Sequence, residues 1–377
     1  MKRRILFYCQ PVLGIGHYVR SREIVRALRD FDVCFVNGGA TIAGLEMPPE
    51  VEVFNLPALK SDAEFQQLHA DDNSFSLDEI KEIRKQQLLA IYQRLQPEII
   101  IIELFPFGRR KFDFELIPLL EKAKSNHTKV VCSLRDILVS KRQQSQFDDK
   151  ACALMNQYFD LLLIHSDPQF QRLEETFPRV NEIKCEVRYT GFVVQKSAPI
   201  FEKREADSLV NILVSIGGGR VGHELIHVAI AASTLLKIPH QMHIVTGPHC
   251  PEENFLRIQQ NITEMTAITM ERFTPDFPVL LQKADLSISM AGYNTCMDII
   301  SAGIRAIVYP FVGNNNQEQT IRAMKLEKLG RVMVIQSDLL EPQHLAKTII
   351  QSLQMAVPAI SLDLNGAEKS AEILSTL

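Results

Sequence analysis

The chain has 377 residues, 46% of them hydrophobic and 23% charged, with a formal net charge of −4. At roughly 150 residues per domain, that length allows two or three ordinary cores. The mild acidity argues against a protein built to coat nucleic acid, which needs a strong basic footprint.

The opening Met1-Lys2-Arg3-Arg4 is charged, but the apolar run behind it stops at Gln10-Pro11. That is too early for a secretory signal. No stretch approaches the roughly 18 apolar residues of a membrane helix. The 7 cysteines are odd in number and none are spaced C-x-x-C. They read as reduced core thiols of a cytoplasmic protein.

The apolar residues at 5–9 predict a buried strand. The turn Gly14-Ile15-Gly16-His17 follows, then a helix over 18–28. Glycines let a backbone approach a ligand, and a helix N-terminus favours negative charge. Gly14 and Gly16 are therefore candidate phosphate contacts. His17 is the candidate base, because histidine titrates near neutrality; a tight turn with a capping histidine is the bland alternative. Arg20, Arg22, Arg26 and Arg29 are expected on a solvated helix face, with Glu23 compensating. Asp30-Phe31-Asp32 spells D-x-D, but it lies at the far end of the sheet from the active edge and reads as a solvated connection.

A strand at 33–36 ends in Asn37-Gly38-Gly39. Residues 60–80 are polar and acidic and predict an exposed loop. A helix over 77–95 is stopped by Gln96-Pro97. Apolar runs at 99–102, 130–133 and 161–164 predict further buried strands separated by helices. Among them, Arg109-Arg110-Lys111 follows Phe105-Pro106-Phe107-Gly108. A basic segment beside aromatics suits a phosphate or an anionic membrane surface. Short apolar runs alternating with amphipathic helices predict parallel α/β sheets.

The rhythm breaks at 195–207, which reads as a linker, and restarts with a strand at 210–216. Gly217-Gly218-Gly219-Arg220-Val221-Gly222 matches G-x-G-x-x-G before a helix over 224–236. A dinucleotide site would want an acid about 20 positions on. The next strand, at 242–245, ends instead in Thr246-Gly247-Pro248. Phosphate cradling survives and the NAD reading does not; a purely structural turn is the alternative. After a strand at 286–289, Ala291-Gly292-Tyr293-Asn294-Thr295 precedes a helix over 296–302 closed by Gly303. Asn294 or Thr295 is available to cap it. Asp298, one turn in, either reaches a sugar hydroxyl or complements the helix dipole. After a strand at 306–309 comes Asn314-Asn315-Asn316-Gln317-Glu318-Gln319, opening a helix to about 329. Such groups match sugar hydroxyls with paired donors and acceptors; a hydrophilic turn is the alternative. No metal is expected, since the 10 histidines show no H-E-x-x-H spacing. A short terminal helix starts near Gly366.

Ligands of open α/β sheets bind beyond the carboxyl ends of the strands, where these turns fall. Together with Glu103-Leu104-Phe105-Pro106-Phe107-Gly108-Arg109-Arg110, they resemble the GT-B glycosyltransferases of family 28. These are the MurG-like enzymes, and a bacterial group among them is most similar. The resemblance spans nearly the whole chain and is clearest over 289–330. It implies an α/β fold of two Rossmann-like domains with an interdomain cleft. Residues 1–195 would be the acceptor side and 208–360 the nucleotide-sugar side, with a helix at 361–377 packing back on the first domain.

The resemblance also implies an inverting, metal-independent hexosyltransferase with no cofactor. Its donor would be a nucleotide-sugar, a UDP-sugar by preference, and its acceptor a small-molecule or lipid-linked hydroxyl. His17 falls at the family's proposed catalytic histidine. Gly217, Gly218, Gly219 and Arg220 fall on the phosphate loop, and Gly292, Asn294 and Thr295 on a second helix tip. Phe273 and Thr274 fall on the stretch that contacts the base, and Asp298 where a family glutamate binds ribose. Asn316, Gln317, Glu318 and Gln319 fall at the donor sugar, with Glu318 replacing a family glutamine. Glu103, Arg109 and Arg110 are the acceptor candidates. Val194 stands where the muramyl enzymes carry arginine, so the peptidoglycan substrate is not carried over. A nucleotide-sugar epimerase or hydrolase and a non-catalytic nucleotide-sugar-binding subunit remain as alternatives. The expected location is cytoplasmic, or peripheral at the inner membrane face.

Overall fold

The computed structural model describes residues 2–12, 14–61, 68–70, 75–139, 143–196, 209–313 and 317–377. The chain divides into two units. The first contains His17–Val193 with the amino-terminal strand and Leu362–Leu377; the second contains Val194–Ser361 with Gly14–Gly16.

The strands of the first unit are β1 (Arg4–Cys9), β2 (Asp32–Asn37), β3 (Glu52–Asn55), the short β4 (Leu59–Ser61) and β5 (Leu68–Ala70), β6 (Ile99–Glu103), β7 (Lys129–Arg135), β8 (Leu161–His165) and β9 (Glu186–Tyr189). Its helices are α1 (Gly16–Ala27), α2 (Leu77–Leu95), α3 (Asp113–Ser125) and α4 (Gln144–Tyr158). Seven strands form one parallel sheet in the order β3-β2-β1-β6-β7-β8-β9. The run Ile99, Ile100, Ile101, Ile102 is buried throughout, because helices cover both faces of a parallel sheet. The strand order reverses between β1 and β6, and a crevice opens at such a point beyond the carboxyl ends.

Two expectations need correction here. Part of the presumed exposed loop at 60–80 is ordered: β4 and β5 pair antiparallel, and Leu59 and Leu68 are buried. α1 is not solvated along its basic face, since Arg20 and Arg22 are 3% and 4% exposed. Arg22 pairs with Glu23 at 3.2 Å. Arg84 of α2 is also fully buried. It holds both carboxylate oxygens of Glu115 at 2.8 and 2.6 Å, Gln10 Oε1 at 2.7 Å, and the carbonyls of Gly38 and Pro57 at 2.9 and 2.6 Å.

The terminal helix belongs to the first unit as α11 (Gly366–Ser375). The Phe192 N–H donates to the Asp363 carbonyl at 2.7 Å, and the Gly366 N–H to the Phe192 carbonyl at 3.0 Å.

The second unit repeats the plan. Its strands are β10 (Val210–Ser215), β11 (His240–Val245), β12 (Ile268–Glu271), β13 (Leu286–Met290), β14 (Arg305–Tyr309) and β15 (Met333–Val334). They form a parallel sheet in the order β12-β11-β10-β13-β14-β15, so the reversal falls between β10 and β13. The helices are α5 (His223–Ser233), α6 (Glu252–Ile262), α7 (Phe277–Lys283), α8 (Tyr293–Ala302), α9 (Glu318–Lys328) and α10 (Pro342–Gln354). The core joins Ile212, Val214, Ile244 and Ile288 with Leu225, Ile226 and Ile349. All seven cysteines are free, six of them buried. Among the described residues no helix is long and apolar enough to cross a membrane. Much of the linker at 195–207 lies outside the described residues.

α2 starts on a capping box: the Ser76 side chain accepts from the Glu79 N–H, and the Glu79 side chain accepts from the Ser76 N–H. Such a cap is worth about 1 kcal/mol. Ser76→Ala is expected to lower unfolding stability by about that much, read as a shifted urea midpoint with an unchanged slope.

Candidate active site

In the first unit α1 begins at Gly16, two residues before the predicted start. His17 therefore sits inside the first helical turn. His17 and Arg20 are three apart, so they share a helix face. That face meets the end of β6. His17 Nδ1 lies 2.7 Å from Glu103 Oε1, and Arg20 Nη2 donates to the same oxygen. The His17 side chain is 17% exposed and that of Glu103 0%.

An ionised carboxylate only accepts hydrogen bonds, so Nδ1 must carry the imidazole proton. Nε2 is left with a lone pair. Burial is the largest influence on His17 and pushes its pKa down to about 4, against the opposing pull of Glu103. Burial works to raise the pKa of Glu103, but His17, Arg20 and Arg109 outweigh it and hold the carboxyl below its ordinary range. The pair at neutral pH is thus an anionic carboxylate and a neutral imidazole.

Glu103, grouped from the sequence with the acceptor residues, is sealed from solvent and reaches outward only through His17. Arg110 gives Nε and Nη2 to Asp113 at 3.0 and 2.9 Å, which occupies its fork. Arg109 stands half-buried on the turn beyond β6, with a φ of 58°.

In the second unit the glycine-rich turn follows β10. Gly219 and Gly222 have φ of 89° and 90°, and a Cβ on Gly219 would lie 2.6 Å from the Thr246 carbonyl. Both glycines are required by the turn itself. Gly217 is exposed and a Cβ there would meet nothing, but its φ of 65° is left-handed as well. The Gly218 carbonyl accepts from the His249 N–H at 3.0 Å. Arg220 is exposed. α5 opens on Gly222 with no side-chain cap, so its first N–H groups are available to an anion.

α8 opens on Gly292, again with no side-chain cap. The expectation that Asn294 or Thr295 caps this helix is corrected: it starts at Tyr293, so both residues lie within its first turn. Asp298 is buried at 4% exposure and accepts from the Gln195 N–H at 3.3 Å. Phe273 and Thr274 follow β12, both half-buried, and Thr274 Oγ1 accepts from the Asp276 N–H at 3.2 Å. At α9, Gln317 is exposed and Gln319 Oε1 accepts from the Phe311 N–H at 3.0 Å. Glu318 is buried and pairs with Arg322 at 2.8 Å. Arg322 also donates to the Ala291 carbonyl at 3.0 Å, tying the end of β13 to α9. Asn316 lies outside the described residues.

Sequence reasoning missed Arg20 and Arg322. The Glu318–Arg322 spacing of four was a usable helical signal; the Arg20–Glu103 pair left none. Among the described residues no group of three or more His, Cys, Asp or Glu could hold a metal.

Residues 212–373 match the glycosyltransferase family 28 C-terminal domain. The chain is 23% identical over 185 residues to the UDP-N-acetylglucosamine–N-acetylmuramyl-(pentapeptide) pyrophosphoryl-undecaprenol N-acetylglucosamine transferase of Thermotoga neapolitana. That match covers 49% of this chain and 50% of the relative. The chain thus spans about half the length of the curated relatives it matches. Arabidopsis thaliana UGT89C1 complexed with UDP superposes with a TM-score of 0.67 at 12% identity, covering 100% of this chain and 99% of that one. Acinetobacter baumannii MurG superposes with a TM-score of 0.58 at 14% identity, covering 100% of both chains. The protein therefore has the GT-B fold. Residues 212–373 are similar to the C-terminal domain of the family 28 glycosyltransferases, and the chain resembles their MurG-type relatives.

Glu103→Gln removes the charge that holds up the His17 pKa. That pKa is expected to fall below its value of about 4, followed by NMR of the imidazole. Loss of the buried anion beside Arg20 should also cost on the order of 3 kcal/mol of stability. A His17 titration that stays put would show that Glu103 does not act on it.

Proposed function

We propose that the protein is an inverting, metal-independent glycosyltransferase that moves a sugar from a nucleotide-diphosphate donor to a hydroxyl acceptor. The observation that carries this reading is the His17–Glu103 pair at the strand reversal of the first sheet. A neutral imidazole with a lone pair on Nε2 is what a proton-accepting step requires. A buried carboxylate behind Nδ1 fixes the tautomer and stabilises the imidazolium once formed.

The second unit supplies donor chemistry in this reading. The open first turns of α5 and α8, with Gly217, Gly218 and Gly219, offer backbone N–H groups to the diphosphate. Arg220 adds a mobile positive charge. Phe273 and Thr274 meet the base, Asp298 the ribose, and Gln317, Glu318 and Gln319 the sugar. A UDP-sugar donor is supported by two similar proteins, one a UDP-N-acetylglucosamine transferase and one solved in complex with UDP.

The step balances simply. The acceptor oxygen forms a bond to the anomeric carbon on the face opposite the diphosphate. The bond from that carbon to the diphosphate oxygen breaks, and the leaving group takes the electron pair. The hydroxyl proton goes to His17 Nε2. The configuration at the anomeric carbon inverts, and no metal is needed where backbone dipoles receive the leaving charge.

His17→Ala is expected to lower turnover roughly 10²–10⁴-fold while donor affinity by calorimetry changes little. Turnover near wild type would remove His17 from the mechanism. Release of free sugar from the donor without any acceptor would favour the hydrolase reading instead. The acid limb of kcat/KM against pH should fall near about 4 rather than the ordinary 6.5, because the free enzyme keeps His17 neutral down to there. A limb near neutrality would contradict the assignment of a buried, neutral base.

A further inference from the structure

The basic residues at the active edge of the first unit are not equivalent. Arg20 is held by Glu103, and Arg110 is held by Asp113 through two hydrogen bonds. Arg109 differs from both in making no side-chain hydrogen bond or ion pair among the described residues. Its Nε, like that of Arg20, is shut away from water. It stands on the turn after β6, six residues beyond Glu103, with the left-handed φ of 58°. A non-glycine residue keeps that conformation only where its surroundings impose it.

The charges near His17 do not cancel within the set. Glu103 contributes one negative charge, and Arg20 and Arg109 two positive ones, beside a neutral imidazole. The charge of Arg109 is felt at both Glu103 and His17. A half-buried guanidinium with an unsatisfied donor is costly. Its planar fork suits a bidentate oxyanion, phosphoryl or carboxyl, better than any other ligand.

We propose that Arg109 is the receptor for an oxyanion carried by the acceptor, so that the acceptor is an anionic hydroxyl compound. The word acceptor rests on His17 being the base; the binding of an oxyanion at Arg109 does not. The test therefore needs no turnover.

Full-length protein with isotope-labelled histidine would be titrated with inorganic phosphate, with acetate, and with phosphatidylglycerol vesicles against phosphatidylcholine vesicles. The His17 imidazole is the reporter, assigned from the spectrum of His17→Ala. A nearby anion favours imidazolium, so the responding probe should raise the His17 pKa. Phosphate or acetate identifies a soluble ligand group, and vesicles alone a lipid headgroup. Arg109→Ala should weaken the response about tenfold or more, and Arg109→Lys severalfold, while Arg110→Ala keeps it. The lysine variant preserves the charge should alanine disturb folding. A response equal in wild type and Arg109→Ala, or a His17 unmoved by all probes, overturns the proposal.

Discussion

A charge that never meets water governs the active edge of the first unit. Glu103 closes β6 at 0% exposure, and a lone buried carboxylate would be far too costly to keep ionised. Its direct partners both come from α1, His17 and Arg20, with the charge of Arg109 adding to them. Two partners three residues apart fix both the rotation and the height of that helix against the sheet. Rotating α1 by one residue would move both side chains off the carboxylate at once. The start of α1 and the burial of its arginine follow from that requirement, and so does the orientation of the imidazole.

The central architecture was legible because parallel strands buried on both faces must be apolar throughout. The runs at 99–102, 130–133 and 161–164 lie within β6, β7 and β8. The sheet edges were not legible. β3 reads Glu-Val-Phe-Asn and β9 reads Glu-Val-Arg-Tyr. Each has a neighbour on one side only, so half its surface faces water and the apolar signal disappears. The hairpin of β4 and β5 escaped for a similar reason, as its two buried leucines sit among polar residues.

The site was legible as a set of residues but not as a set of pairs. His17 and Glu103 were both singled out, in different roles, because 86 residues separate them. The rule that arginine faces solvent failed at Arg20 and Arg22, where a partner carboxylate or the body of the helix made burial tolerable. In the second unit the strand-end turns carry residues chosen for the fold as well as for a ligand. Gly217, Gly219 and Gly222 are all held at a left-handed φ by their own turn, whereas Gly218 is not. Glu318 spends its carboxylate on Arg322, which leaves Gln317 and Gln319 as the less committed neighbours. Sequence identity alone could not separate these cases, because the same residue type serves both purposes.

Arg84 carries a consequence of another kind. Its buried guanidinium grips the main-chain carbonyls of Gly38 and Pro57, on the segments that leave β2 and β3. Main-chain carbonyls are supplied by every residue. At Pro57 the side chain can therefore be exchanged without unfastening the segment, as a panel is replaced on a frame. At Gly38 it cannot, because a Cβ there would collide with Gln10 Oε1. The segment leaving β3 is thus free to vary while the one leaving β2 stays as it is.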